Sequence, residues 1–275
     1  MDSIIAATIK FQFGPVALLW SDDKPEGATE FKPGKWGCVM WLLASAAKGK
    51  SAVASARTFG CPGGGVGLGF GNQYLNFAGG LEGFYHFLSI GNQHWEPGRQ
   101  LAEKIKPFLR EEMYEHFVHG EGYVQTPAGV KRFVQCLPIM QIPKKYVVLK
   151  PLAAVDPAQE TPEVVAFLAD PDQLSALVVL ANYARGDNEN VIIPYAAGCQ
   201  TLGIYPYQEA RSERPRAVVG LTDLSARLEL HKLLAPGLLT FAVPWRLFQE
   251  MEHNVPDSFL ERGTWKKLME LKKGL

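Results

Sequence analysis

The chain has 275 residues, of which 47% are hydrophobic and 20% are charged, a composition typical of globular proteins and not of disordered ones. Its 28 basic residues equal its 28 acidic residues, and this zero net charge argues against a nucleic-acid-binding surface. No apolar run reaches the roughly 18 residues that a membrane-spanning helix needs, and the first residues lack the basic region of a secretory signal. We therefore expect a cytoplasmic protein whose four cysteines form no disulfide framework.

Residues 1–150 are predicted to combine strands with helices. Short runs with β-branched residues predict strands, and longer runs with apolar residues three and four apart predict helices. The strands are predicted at residues 4–9, 16–20 and 146–149, and the helices at residues 36–47, 80–90 and 97–118. Cys38 falls in the first turn of the first of these helices, and Pro107 should kink or split the last one.

Residues 151–275 alternate more regularly between the two kinds of element. Strands are predicted at residues 164–168, 191–193, 217–221 and 239–243, and helices at residues 170–184, 224–234 and 245–253 and at the basic end of the chain. Asp170 and Gln173 form a capping box around Pro171, which takes the first helical position. The alternation predicts an α/β or α+β fold, in which a mixed sheet is surrounded by helices. We expect two packed halves, 1–150 and 151–275, that together form one compact unit.

Residues 60–71 read Gly-Cys-Pro-Gly-Gly-Gly-Val-Gly-Leu-Gly-Phe-Gly and are the most unusual stretch of the sequence. So many glycines carry a large entropic cost, which a chain accepts where φ is positive or where a group must approach the backbone closely. The strict alternation from Gly65 onward predicts an extended segment. We expect a binding loop at the junction of the two halves, in which the unmasked backbone of Gly63, Gly64 and Gly65 contacts a ligand.

Three of the four cysteines share a local pattern, because Cys38, Cys61 and Cys199 each follow a glycine. Cys136 lies instead in an apolar run and is predicted to be a buried core residue. The chain has no Cys-x-x-Cys pair, so a structural zinc site of the usual spacing is excluded. The three glycine-flanked thiols are either ligands of one site or unrelated buried residues.

Two further patterns are weaker. Residues 44–51 loosely resemble a phosphate-binding loop, but the residues before them are helical by pattern and the opening glycine is an alanine. His116 and His119 lie near acidic residues at a helix end and are either half of a metal site or a solvated terminus. Neither pattern predicts a function as well as the cysteines do.

The order of several short motifs resembles domain-of-unknown-function family 169, an archaeal and bacterial family without a settled activity. The motifs are Gly37-Cys38 before an alanine-rich helix, Cys61-Pro-Gly-Gly, Gly67-Leu-Gly69, an Asp-Pro-Asp-Gln helix start, Gly198-Cys199 and Phe241-Ala-Val-Pro244. The resemblance spans nearly the whole chain. Members of that family often carry a further cysteine-containing segment after the third cysteine, but here the matching region, Gly220-Leu-Thr-Asp-Leu-Ser-Ala-Arg227, has none. The resemblance therefore does not imply a four-thiol site.

We expect an iron-cofactor-binding protein with a redox, sensing or cofactor-handling role, its metal ligands drawn from Cys38, Cys61 and Cys199. Three thiolates suit an iron–sulfur cluster, whereas one thiolate or one histidine suits haem, which Phe84 and Tyr85 would help to enclose. The alternative is an enzyme or sensor that holds a small anion on the amides of residues 60–71, with Cys61 as a reactive thiol.

The expected partners are few. Aromatic residues are concentrated between Trp36 and Phe87, and such residues are enriched at interfaces, which predicts a homodimer. We expect no nucleic-acid and no membrane partner, and a redox protein would also need a redox partner that the sequence does not identify.

Overall fold

A single mixed sheet organises the chain in the computed structural model, which describes residues 1–273. Its strands are β1 (Val16–Ser21), β2 (Ala52–Ser55), β3 (Tyr146–Pro151), β4 (Val164–Ala169), β5 (Val191–Ile192), β6 (Ala217–Gly220) and β7 (Leu239–Pro244). Their order in the sheet is β2-β3-β1-β4-β7-β6-β5. Neighbouring strands are antiparallel, apart from β5 and β6, which are parallel. The mixed sheet with surrounding helices confirms the predicted class, as an α+β fold.

Helices occupy nearly half of the rest of the described chain. They are α1 (Ile4–Ile9), α2 (Val39–Ala47), α3 (Pro62–Gly67), α4 (Gly80–Phe87), α5 (Glu96–Ile105), α6 (Glu111–His119), α7 (Pro127–Cys136), α8 (Pro171–Asn182), α9 (Gly198–Leu202), α10 (Ile204–Ala210), α11 (Leu224–His231), α12 (Trp245–Asn254) and α13 (Gly263–Lys273). Pro107 lies in a short 3₁₀ turn between α5 and α6, so the predicted long helix is split there. The capping box of Asp170 and Gln173 is also present.

Contacts divide the chain into two compact units. The first consists of Met1–Phe70 and the chain from Met140 onward, and it contains the whole sheet. The second, Gly71–Ile139, contains α4 to α7. The sheet of the first unit takes strands from both sides of residue 150. The division into halves at that residue stays a prediction.

Both faces of the sheet are covered by helices, as the alternation of side chains along each strand requires. Leu18 of β1 faces a core that also contains residues of α2, α9, α10 and α11. Leu19, the next residue, faces a core formed with α1, α8, α12 and α13. All three glycine-flanked cysteines pack on or beside the first core, with Cys199 inside it. The first face is therefore the one that positions the candidate site.

The prediction of a strand at residues 4–9 is wrong, because this segment is the helix α1. The Ser3 side chain caps it by accepting a hydrogen bond from the Ala6 amide, and Glu252 accepts from the Ile4 amide at 2.7 Å. Ile5 and Ile9, four residues apart, are its buried residues. A cap and a buried stripe at helical spacing therefore overcome the strand preference of the β-branched side chains.

The resemblance of residues 44–51 to a phosphate-binding loop does not extend to the structure. A phosphate-binding loop connects a strand to the following helix. Here the segment ends the helix α2 and leads into the strand β2, which is the opposite order. Lys50 is exposed on the connecting turn.

Among residues 1–273, no helix combines the length and apolar character that crossing a lipid bilayer requires.

Gly220 of β6 is a position where the packing leaves no room for a side chain. A Cβ atom there would lie 2.0 Å from Thr201 Oγ1 and 2.7 Å from Thr240 Oγ1. We expect Gly220→Ala to lower the free energy of unfolding by about 1–3 kcal/mol, because these buried side chains would have to move. Chemical denaturation measures the change.

The control is Gly14→Ala, since a Cβ atom at Gly14 would meet no atom within 4 Å. Its stability should stay within about 0.5 kcal/mol of the wild type. Equal stabilities for the two variants would contradict the close packing of β6 against α9.

Candidate functional site

Residues 60–71 are not the extended loop that their alternating glycines predicted. Residues 62–67 form the short helix α3, which begins at Pro62, and Cys61 is its N-cap. Proline suits the first helical position because it has no amide hydrogen to leave unpaired. Because the glycines of this helix have no side chains, neighbouring segments of the chain can pack directly against its backbone.

The first of these contacts brings Cys38 close to Cys61. A Cβ atom on Gly60, whose φ is +83°, would lie 2.3 Å from the carbonyl oxygen of Gly37. Cys38 and Cys61 directly follow these two glycines, and each is the N-cap of its helix. Cys38 was expected in the first turn of α2, and it lies one residue before that turn. The glycine contact therefore fixes two thiols from separate stretches of the chain beside one another.

The second contact brings in Cys199 from beyond residue 150. A Cβ atom on Gly67 would lie 2.8 Å from Cys199 Sγ, so α3 packs on α9 through bare backbone. The Cys199 thiol donates a hydrogen bond of 3.1 Å to the Gly63 carbonyl oxygen. Cys199 lies in the first turn of α9, the helix that follows the strand β5. The expected contact of residues 60–71 with the C-terminal part of the chain is thus present.

Backbone amides at the start of α3 donate hydrogen bonds to Cys61. The Gly64 N–H donates to Cys61 Sγ over 3.2 Å, and the Gly63 N–H also favours a negative charge on that sulfur. The Gly65 N–H donates to the Cys61 carbonyl oxygen at 3.0 Å. The three glycines that were predicted to contact a ligand are therefore occupied with cysteine side chains or with helical hydrogen bonds.

Asp223 is a member of this group that the sequence analysis missed. It is the N-cap of α11, where its Oδ1 accepts from the Ala226 amide at 2.7 Å. Its Oδ2 accepts from the amide of Gly198, the residue before Cys199. It lies in the segment 220–227, which lacks a cysteine but supplies this carboxylate. An aspartate directly before an apolar helical pattern is an N-cap signal that could have drawn attention to it.

The electrostatic surroundings of the three thiols are negative. Burial is the main cause that raises the pKa of each thiol above its ordinary value. The charge of Cys61 further raises the pKa of both Cys38 and Cys199, and the charge of Asp223 acts on all three thiols. Burial also raises the pKa of Asp223 itself, against the hydrogen bonds from backbone amides that lower it. These thiols therefore carry their protons at neutral pH in the arrangement described.

The prediction that Cys136 is a buried core residue is wrong. It is the last residue of α7 and is exposed. The buried residues of that helix are Val130 and Val134, four residues apart, and the helical turn places Cys136 outside their stripe. Cys136 lies in the second unit and is not a member of the group around Cys61.

Phe84 and Tyr85, predicted to enclose a haem, lie on α4 of the second unit and are buried there. The Phe84 ring stacks on Tyr74, with 3.9 Å between ring centroids.

His116 and His119 are about half exposed and lie near Glu121 and Glu115, as residues at a solvated helix end would. The homodimer stays a prediction, although several of the aromatic residues behind it are buried within the chain.

Within residues 1–273, no three or more His, Cys, Asp or Glu side chains are placed so that they could hold a metal ion together. What the structure brings together is a set of neighbouring thiols and one carboxylate, in which Cys61 and Cys199 make hydrogen bonds to the backbone of α3. The three cysteines that the sequence predicted as metal ligands are therefore neighbours in the fold, but they are not arranged to hold a metal ion together.

Access to solvent should separate the cysteines chemically. We expect iodoacetamide to modify the exposed Cys136 first and the other three thiols at least about tenfold more slowly, because Cys199 is buried, Cys38 and Cys61 are half-buried, and all three are protonated. Mass spectrometry of the native protein follows the reaction, and Cys136→Ser should abolish the fast step. Modification of Cys61 as fast as that of Cys136 would contradict the enclosure described above.

The raised thiol pKa values also predict an effect of alkaline pH on stability. In the unfolded chain these thiols lose their protons near pH 9, whereas the folded chain retains them to higher pH. The unfolded state then binds fewer protons, so the free energy of unfolding falls as pH rises above about 9, by at most about 1.4 kcal/mol per pH unit for each thiol.

Denaturation of the metal-free protein between pH 7 and pH 10 measures this dependence. Cys199→Ser removes one contributing thiol, so its stability should fall less steeply above pH 9. Equal slopes for this variant and the wild type would show that ionisation of Cys199 is not opposed by the fold.

Comparisons with known proteins bear on identity and not on activity. The model of the DUF169 family, described as "Uncharacterised ArCR", matches residues 4–254. No curated protein and no solved structure matches the chain. The matched region contains all three glycine-flanked cysteines and Asp223, and it confirms the resemblance drawn from the short motifs. The chain belongs to domain-of-unknown-function family 169.

Proposed function

We propose that this protein binds an iron cofactor through Cys38, Cys61 and Cys199, and that the cofactor is an iron–sulfur cluster. The observation that carries the proposal is the convergence of three thiols from distant parts of the chain on the first core, packed through glycine contacts. Thiolates are the usual ligands of iron–sulfur clusters. A cluster bound there would supply one-electron chemistry or an iron with an open position.

The charges around the thiols support a cationic occupant. The charged groups that act most strongly on them are negative, including Asp223 and, for Cys38, Glu229. Ionising several of these buried groups together is unfavourable unless a positive charge lies between them. Iron binding would displace the thiol protons, and Cys199 would exchange its hydrogen bond to Gly63 for a metal bond.

The backbone around Cys61 suits a metal-bound sulfur. Amide hydrogen bonds to ligand sulfurs are one of the means by which proteins tune the potential of a cluster. Cys61 Sγ already accepts such a bond from Gly64. The cluster requires residues of the first unit alone, whereas the haem form also drew on Phe84 and Tyr85 of the second unit. We therefore favour the cluster over haem.

The alternative function is less well supported. An anion held on the start of α3 would need free amides, but those of Gly64 and Gly65 donate to Cys61. Reactive cysteines usually have a lowered pKa, whereas burial raises that of Cys61. These two observations favour the iron cofactor over a small-anion enzyme or sensor.

The proposal extends to a redox, sensing or cofactor-handling role in a cytoplasmic setting. Four free cysteines suit a reducing compartment, and the zero net charge suits a protein without a nucleic-acid partner. A homodimer and a redox partner belong to the proposal on the grounds given by the sequence.

Anaerobic reconstitution with ferrous iron and sulfide tests the function. We expect the wild type to gain iron, acid-labile sulfide and a visible charge-transfer spectrum. Replacing Cys38, Cys61 or Cys199 singly with alanine should weaken iron binding by more than about tenfold, because each change removes a ligand.

The matched control is Cys136→Ala, which removes an exposed thiol of the second unit and should load like the wild type. Thermal melts of the metal-free variants separate loss of a ligand from loss of the fold. A wild type that takes up no iron, or folded variants at the three sites that load fully, would contradict the proposal.

A further inference from the structure

Three aromatic rings meet at large angles where the chain enters α2. The Trp36 ring lies edge-to-face with the Trp41 ring, with 5.4 Å between ring centroids and 81° between ring planes. Phe31 approaches Trp41 in the same manner, at 6.1 Å and 66°. Trp41 lies in the first turn of α2, whereas Phe31 and Trp36 lie in the loop before it. These rings form the walls of a corner, which we call the aromatic corner (Phe31, Trp36 and Trp41).

The aromatic corner is held from the inside and reaches solvent on the outside. A Cβ atom at Gly37 would lie 2.3 Å from the Phe31 ring, and one at Gly60 would lie 2.9 Å from it, so this ring has no room to move inward. Phe31 and Trp41 are half-buried, and Trp36 is 39% exposed. A ligand can therefore approach the corner through the exposed side of Trp36.

A carboxylate lies next to the central ring of the corner. Glu229 of α11 accepts a hydrogen bond from the Trp41 indole N–H at 2.9 Å, and its side chain is only 13% exposed. Its other oxygen pairs at 2.7 Å with Lys232, which is about half exposed. The negative charge beside the indole favours a cation on the face of that ring, and Lys232 partly opposes this effect.

We propose that the aromatic corner binds the quaternary ammonium group of a small molecule. Aromatic faces attract cations, tryptophan most strongly, and cages of such rings are a common means of holding methylated ammonium groups. A quaternary ammonium group has no N–H, so it loses no hydrogen bonds to water when it contacts the rings. A primary ammonium or guanidinium group would lose such bonds, which makes it the poorer ligand.

This inference goes beyond the proposed function and does not depend on iron. The aromatic corner adjoins the thiol group in sequence, because Trp36 and Gly37 directly precede Cys38. Its binding groups are nevertheless ring faces and one carboxylate, not thiols. Either proposal can therefore fail while the other holds.

Calorimetric titration of the metal-free, full-length protein with choline tests the proposal. The comparison ligand is the neutral alcohol dimethylbutanol, in which a tert-butyl group replaces the trimethylammonium group of choline. We expect choline to bind with a dissociation constant in the millimolar range or below. The alcohol should bind at least about fivefold more weakly, because it lacks the attraction between the cation and the rings.

Variants locate the binding to the aromatic corner. Trp36→Ala removes a half-exposed wall and should weaken choline binding at least about fivefold. The matched control is Trp245→Ala, which removes a tryptophan on the other face of the sheet and should bind choline like the wild type. Glu229→Gln keeps an acceptor for the Trp41 indole but loses the charge, so it should bind choline more weakly. Lys232→Gln removes the opposing charge and should bind choline more tightly.

The comparison of choline with the neutral alcohol needs no variant, so the test remains decisive if Trp36→Ala fails to fold. A wild type that does not bind choline, or that binds the alcohol equally well, would overturn the proposal. A folded Trp36→Ala protein with unchanged affinity for choline would also overturn it. Sedimentation of the protein with phosphatidylcholine vesicles, reversed by free choline, would overturn the assignment to a small molecule in favour of a lipid headgroup. Iron uptake is measured separately, so none of these outcomes decides the proposed function.

Discussion

The candidate site depends on the close approach of backbone to backbone at glycines. Gly60 lies against the Gly37 carbonyl, and Gly67 lies against Cys199 and the backbone of α9. A methyl group at either contact would force the helices apart, which in packed interiors costs about 1–3 kcal/mol. Glycine also has an entropic cost on folding. In return, these glycine contacts bring cysteines that are distant in sequence close together on one face of the sheet.

Once the thiols are enclosed, electrostatics limits what can occupy the site. Burial raises the pKa of Cys38, Cys61 and Cys199 and keeps these thiols protonated, and the negative charge of Asp223 acts in the same direction. An anionic ligand would increase the repulsion, whereas a metal cation would relieve it. Under the proposed function, iron would convert these protonated thiols to thiolates, and its uptake would release protons.

The fold class and most strands followed from hydrophobic periodicity, because central strands such as β4 are short, apolar and bounded by turn residues. The short helix α1 could not be predicted from periodicity, because six residues with three isoleucines resemble a strand unless the Ser3 cap is considered. Alternating glycines suggested an extended segment, although Cys61 and Pro62 carried the signals of a helix start. The N-cap position of Asp223 had a local signal, but its contact with the Gly198 amide depends on the fold and could not be read from the sequence.

Iron binding by the three cysteines is tested most directly by a crystal structure of the anaerobically reconstituted protein, with anomalous diffraction measured at the iron edge. We expect an iron peak within bonding distance of the sulfur atoms of Cys38, Cys61 and Cys199, on the sheet face that carries α2, α9 and α11. An iron peak elsewhere, or three thiols still bonded to their backbone partners in a protein that contains iron, would contradict it.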